Sequence, residues 1–362
     1  MTRRPAGDDW EWCHDPAQPA SVPRPGHRRA AALAAFAILL AVTGPRLASM
    51  YAASGITGCR PASCGYLAGT FLQQVYDAGT YWGPYLLGVM FILLTPAVIG
   101  LFWGAPLIAR ELETGTSALA WNQSVTRTRW LAVKLTVTGV AAMAVTEGLS
   151  LMQAWWAAPI GQAVGRLGTT HLAMGQFSPA MGRFSPLVFA THGITPLGYA
   201  AFAFTLGVTA GALIQRTVPA MAVTLALFAV IQIATPLWIR PNLFPARHAV
   251  VSVSSLDSLR PENLPGQPGA WLLSSETINA AGQPVYAAPA ACPPPPVVKG
   301  NNNEDSEGTC LDCLASHGVR EAFSYQPASR YWALQRTETT IYLALALAMA
   351  GVCFRRLNRR LS

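Results

Sequence analysis

The chain has 362 residues, 52% of them hydrophobic and 12% charged, with a mean hydropathy of +0.31 and a formal net charge of +8. Soluble domains carry about 25% charged residues, so a soluble globular protein is excluded and a polytopic membrane protein is expected. The arginines flank apolar stretches and form no continuous patch, which removes nucleic acid from the expected partners and leaves the lipid bilayer.

Residues 1–29 are Pro-rich, mixed in charge and without hydrophobic periodicity, the composition of a mostly disordered tail. Six apolar stretches follow, at 30–51, 84–103, 135–156, 196–214, 218–239 and 339–354. Each approaches the roughly 20 residues needed to cross a hydrocarbon layer. The fourth can start as early as Leu187, and the sixth is expected to extend back through 334–338, with flanking Arg and Trp snorkelling to the interface. Arg28-Arg29 and the apolar run behind them resemble a signal peptide. The preceding Asp8, Asp9, Glu11 and Asp15 do not suit its basic leader, so a span is favoured.

With the amino terminus inside, fourteen of the 25 Lys and Arg fall on the inner side: Arg3, Arg4, Arg24, Arg28, Arg29, Arg110, Arg127, Arg129, Lys134, Arg216, Arg355, Arg356, Arg359 and Arg360. The positive-inside rule therefore predicts that both termini are cytoplasmic. The expected fold is all-α, with six transmembrane helices in the plasma membrane and a large extracellular segment between helices five and six. Region 30–239 holds the first five spans and an inner loop at 104–134. Region 240–335 is the Pro- and Cys-containing outer segment, and 336–362 is span six with a basic tail. The outer segment shows strand-like Val/Ser alternation at 248–256 and an aromatic, Gln-containing run at 325–336. No second folded domain is expected there, and 52–83 and 159–184 are expected as outer loops.

The inner loop concentrates charge between two apolar runs. No Asp, Glu, Lys or Arg lies between Asp77 and Arg110, and Glu147 alone lies between Lys134 and Arg166. Pro106 suits a kink at the end of span two or the first turn of a new helix. Ile108 and Leu112 share one face at i,i+4, while Arg110, Glu111 and Glu113 take the others. Gly115 stands where a helix would end, 117–121 can form a second turn, and Ser124 or Thr126 can cap span three. The result is a helical hairpin at the membrane surface.

Glu147 is the lone acid well inside a span. An ionised carboxylate in hydrocarbon costs at least a few kcal/mol, so it is expected to face the bundle interior or a hydrated cavity, as a pathway or helix-packing residue. Among seven cysteines, Cys59, Cys64, Cys292, Cys310 and Cys313 fall outside, where disulfides persist. Cys59 and Cys64 can close a small loop, and Cys292 can pair with Cys310 or Cys313, leaving one thiol over. No metal site and no cofactor are expected: the six histidines are scattered and H-E-x-x-H is absent. There is no G-x-x-x-x-G-K-[ST] loop to hold ATP and no G-x-S-x-G nucleophile, so the chain does not read as an enzyme.

The wording of the inner loop, I-A-R-E-L-E-x-G-T-x-x-L-A-W-x-Q-S-V-T-R-x-R-W-L-x-x-K from Ile108 to Lys134, resembles the first cytoplasmic loop of ABC-2-type exporter permeases. Further runs are similar in the same order. They are Leu149-Ser-Leu with Trp155-Trp156 and Pro159, Gly193-Ile-Thr-Pro196 with Tyr199 and Phe202, and Gly211 to Ala222 around Arg216-Thr217. The last is Tyr325 to Trp332 with Gln335 and Glu338. Gln215 stands where these proteins commonly carry a second Arg. The resemblance implies a six-span permease that works as a dimer, as a homodimer or with a paired permease. It also implies a separately encoded ATP-binding subunit docked on the first loop. The coupling element would be 108–121: Ile108, Arg110, Glu111, Leu112 and Glu113, with Gly115 and Thr116 at the turn and Trp121 beyond it. A motor-independent secondary transporter or a membrane sensor is the alternative; it would show paired intramembrane acids or internal repeats, and neither is visible.

Overall fold

Six helices long and apolar enough to cross a membrane run through the computed structural model, which describes residues 25–113, 127–166, 182–252, 269–285, 292 and 312–359. Span 1 is Pro25–Ala53, span 2 begins as Trp82–Ile99, and span 3 is Arg127–Val164. Span 4 is Thr195–Ile214, span 5 begins as Thr217–Ala234, and span 6 is Tyr331–Arg359. In hydrocarbon every backbone N–H and C=O needs an internal partner, and a continuous helix supplies one. The helices accordingly overrun the apolar stretches at their polar ends. Span 3 continues past Pro159 into what reads as an outer loop, and span 6 absorbs Leu334–Glu338 as expected.

Spans 2 and 5 each pass through a π-helical turn, at Gly100–Gly104 and Thr235–Ile239. In both, the residue that closes the turn donates five residues back: Ala105 N–H to Gly100 O, and Arg240 N–H to Thr235 O. The next residue is a proline in each case, Pro106 and Pro241. A proline ring collides with the carbonyl four residues behind it, and the wider turn moves that carbonyl away. Span 2 therefore does not stop at Pro106 but runs on as the helix Ala105–Glu113.

Span 4 is the central helix. It is buried along most of its length, whereas the other five leave most of theirs on the outside, and it packs on spans 2, 3, 5 and 6. Small residues allow this. Gly100 and Gly104 of span 2 face Gly207 and Gly211 of span 4, four residues apart on each side. A Cβ on Gly104 would stand 2.5 Å from Phe204 O, and one on Gly207 would run into Gly100 O. Two G-x-x-x-G faces thus meet backbone to backbone, the arrangement by which membrane helices gain packing where lipid offers no hydrophobic drive.

The early start considered for span 4 is a separate turn, Pro186–Thr191, capped by Ser185 Oγ accepting from Val188 N–H (3.2 Å). Gly193, at φ +76, then turns the chain into span 4. At the other end of span 4, Gln215 takes a left-handed conformation (φ 59) and Arg216 an extended one, so spans 4 and 5 are joined by two residues.

Two elements depart from the expected loops. Pro61–Asp77 is a helix whose Ala68, Phe71, Leu72 and Val75 pack on spans 1 and 3, with Tyr51, Trp156 and Ile160. Within the outer segment, β1 (Arg247–Ser252), β2 (Trp271–Ile278) and β3 (Arg320–Gln326) form an antiparallel sheet in the order β1-β3-β2. The central strand pairs Arg247 with Tyr325 on one side and Trp271 with Gln326 on the other. Phe323 and Tyr325 pack with Ala249, Val251 and Leu272. Gln326 Nε2 donates to Phe244 O (2.8 Å), and Trp271 stacks on Phe184, seating the sheet on the helical bundle. The fold remains helical, with this small sheet at one end, here called the sheet end.

Candidate functional site

At the end opposite the sheet, Ala105–Glu113 forms a hairpin-end helix tied to three neighbours. Ile108 and Ala109 are buried, Ile108 in a cluster with Leu131, Leu135 and Phe204. Arg110 is exposed. Glu111 pairs with Lys134 at the start of span 3, where the Lys134 ammonium also lies 4.5 Å from the Trp130 ring centroid. Glu113 Oε2 accepts from Thr217 N–H (3.2 Å) and Thr217 Oγ1 (2.7 Å), satisfying the first turn of span 5. The Thr217 hydroxyl, then its backbone N–H, hold the Glu113 carboxyl below its ordinary range. The two acids expected to meet a motor thus have internal partners as well. The Leu112 side chain, Gly115, Thr116 and Trp121 lie outside the described residues.

At the sheet end, spans 4, 5 and 6 converge on a buried polar cluster; its Tyr199 and Glu338 stand in the runs that carry the resemblance, and its Arg240 does not. The π turn at Thr235–Ile239 sets Arg240 pointing into the bundle. Its Nε donates to Glu338 Oε2 (2.8 Å), and its Nη2 donates to Glu338 Oε1 (3.0 Å) and to the Tyr199 hydroxyl (3.3 Å). The Tyr199 hydroxyl donates to Glu338 Oε1, and the guanidinium lies 3.9 Å from the Phe189 ring centroid. Arg240 and Glu338 are each 1% exposed, so this fork–fork pair is closed to water. Arg240 Nη1 has no hydrogen-bond partner.

One turn before Glu338, Gln335 clasps the entry to span 4. Its Oε1 accepts from Ile194 N–H and Thr195 N–H (3.1 Å each), and its Nε2 donates to Phe189 O (3.2 Å) and His192 O (3.0 Å). Gly193 must be glycine here, since a Cβ would stand 2.8 Å from Gln335 Oε1 and φ is positive. Burial pushes the partly enclosed His192 below its usual value, against the opposing effect of Val188 O, which lies 3.1 Å from its Nδ1.

Glu147 sits midway along span 3, partly buried, and its Oε2 has no hydrogen-bond partner. The structure does not bring it to Arg240. Cys59 is bonded to Cys64 and Cys292 to Cys313, while Cys310 lies outside the described residues. Cys353 is a buried thiol 3.3 Å from Thr209 Oγ1. The disulfide Cys292–Cys313 has an unexpected neighbour, His317, which the C-x-x-C-x-x-x-H spacing at 310–317 could have flagged.

A family model described as ABC-2 membrane transporter related matches residues 30–240. The chain belongs to the ABC-2 membrane transporter related family. It is a multi-pass membrane component of transport, of a family whose members are generally not catalytic themselves and generally work with ATP-binding subunits. The match covers spans 1–5 and the hairpin-end helix, and it ends at Arg240, ahead of the sheet, Gln335 and Glu338. No curated protein and no solved structure matches this ABC-2-related chain.

Proposed function

We propose that this chain is the permease subunit of an ATP-driven exporter in the plasma membrane. Two copies, or one copy and a paired permease, enclose the pathway, and each docks a separately encoded ATP-binding subunit through Ala105–Glu113 and the loop that follows it. Both termini are cytoplasmic in this reading, supported by the Lys and Arg distribution, and the sheet is outside.

One observation carries the reading. The hairpin-end helix is continuous with span 2, packed on span 4, ion-paired to span 3 and capping span 5. A push on that short helix therefore reaches four spans at once, as a coupling element requires. ATP acts by favouring one arrangement of these helices over the other, which demands differential contact with the motor subunit.

The test is co-purification with the ATP-binding subunit and its ATP hydrolysis. Glu111→Lys with Glu113→Lys keeps the apolar length of the spans and gives up the Lys134 pair and the Thr217 cap, both at sites open to solvent where such contacts add little to stability. Like-charge contact at a partner surface costs several kcal/mol. Normal membrane expression with lost co-purification or lost stimulation is expected. A double mutant that binds and stimulates its partner as the parent does refutes the assignment of the coupling element.

A further inference from the structure

Cys313 and His317 stand four residues apart on a helical turn, His317 N–H donating to Cys313 O at 3.1 Å. Cys292 comes from 21 residues upstream and is bonded to Cys313 with a Cα–Cα distance of 5.7 Å. His317 Nδ1 lies 3.8 Å from Cys292 Sγ and 3.8 Å from Cys313 Sγ. Its other polar neighbours are Cys313 O at 2.9 Å and Ser316 Oγ at 3.3 Å. The three donor atoms all lie within 4.8 Å of one another.

A disulfide needs no imidazole equidistant from its two sulfurs; a metal site does. With Zn–S of about 2.3 Å and Zn–N of about 2.0–2.1 Å, tetrahedral angles place S and N about 3.6 Å apart and two sulfurs about 3.8 Å apart. The nitrogen already stands near that spacing from both sulfurs. The sulfurs reach it when the S–S bond opens and the side chains turn. Cys292 is buried, Cys313 half-buried and His317 exposed, so a cation has a route in from the histidine side.

We propose that Cys292, Cys313 and His317 form a redox-gated site for a thiophilic divalent cation of the zinc class. In the disulfide form the site is closed. A dithiol or phosphine reductant supplies two electrons, the S–S bond breaks, and two protons give two thiols. The cation then displaces both thiol protons to solvent and takes His317 Nδ1 from Cys313 O, the ring proton moving to Nε2, so that two thiolates and Nδ1 hold it with water in the fourth position. Either state ties Cys292 to the turn that leads into β3, so the tie survives a change of redox environment.

The test uses the full chain in detergent, carrying Cys59→Ser and Cys64→Ser to remove the other close sulfur pair. It is titrated with Co2+ alone, before and after treatment with a phosphine. One Co2+ per chain is expected after reduction, with a thiolate-to-cobalt charge-transfer band that Zn2+ displaces, and none before it. Cys292→Ser or Cys313→Ser abolishes the band. His317→Ala, at an exposed position where the fold does not depend on the ring, weakens binding by about tenfold or more. No stoichiometric band in the reduced protein, or an affinity unchanged by His317→Ala, overturns the proposal.

Discussion

Glu338→Ala is the sharpest test of the buried cluster. It leaves the Arg240 guanidinium at 1% exposure with its bidentate partner gone and Nη1 already unpartnered. Breaking a buried pair from one side costs about 3–5 kcal/mol, because the remaining charge has lost its counter-charge and has no water, and here only the Tyr199 hydroxyl and the Phe189 ring are left to it. The Tyr199 hydroxyl loses its acceptor in the same step, a cost of about 1–3 kcal/mol that overlaps with the first and does not simply add. Replacing both charges with apolar side chains of similar volume, Arg240→Met with Glu338→Leu, removes the desolvation burden on both sides. Such replacements are often neutral or stabilising. The contact of Arg240 with Phe189 is lost as well, so near-parental stability is expected and no large gain. Unfolding in a fixed detergent should therefore show the single change far below the parent and the double change close to it. If Glu338→Ala lies within about 0.5 kcal/mol of the parent, or if the double change is as damaging as the single one, the cluster is not the closed joint described above.

Gly207→Ala drives a methyl into Gly100 O, and misfitting an added group in a packed interior costs about 1–3 kcal/mol; lower detergent stability is expected, while Gly148→Ala, with open space around it, should be silent. Glu321 is buried in β3 and accepts from Thr277 Oγ1 (3.0 Å), and burial raises its carboxyl above the ordinary 4.5. Its folded state holds the proton more tightly, so its stabilising contribution is full below 4.5 and falls as pH rises through the raised value. Glu321→Gln, which keeps an acceptor for Thr277, should be more stable than the parent at neutral pH and lose the advantage in acid, as followed by thermal melts across pH. Non-reducing peptide mapping should return Cys59 joined to Cys64 and Cys292 joined to Cys313, with Cys353 alkylated only after unfolding; a Cys292–Cys310 peptide would contradict the pairing.

The spans were legible because apolar length is a local property and the bilayer fixes the length required. The Pro61–Asp77 helix was equally local, with a Cys64, Ala68, Phe71, Leu72, Val75 stripe at helical spacing behind a proline, but its 17 residues include Gln73, Gln74 and Asp77 and do not read as a span. Read with a period of two, 248–256 pointed to β1; β2 and β3 were hidden because Leu272-Leu273 breaks the alternation at a bulge, and the pairing of β3 joins distant segments. The pairing of Arg240 with Glu338 could not be read, although Tyr199, Gln335 and Glu338 stand in the runs that carry the resemblance. Both residues looked like polar flanks of their spans, and the chain that separates them carries no mark of their meeting. Pro106 and Pro241 were visible; that each sits behind a π turn follows only from the backbone. At the hairpin end the amphipathic face of Ile108 was correctly apolar, whereas Lys134 and Thr217 as partners of Glu111 and Glu113 depend on how three helices meet.

The glycine-to-glycine crossing of spans 2 and 4 has a mechanical consequence. Helices separated by a layer of side chains can slide by rotamer changes, in small steps and at low cost. Where carbonyl meets Cα directly there is no such layer to shear, and relative motion requires lifting the helices apart or stepping a whole turn, about 5.4 Å. Ala105–Glu113 and span 4 are therefore one stiff body. Span 4 has 20 residues and is about 30 Å long at 1.5 Å per residue. At its far end Gln335 and Glu338 grip it from span 6. In the coupling proposed above, a tilt of the short helix would be carried along span 4 to the grip of Gln335 and Glu338, with span 4 as the lever and span 6 as the part it meets.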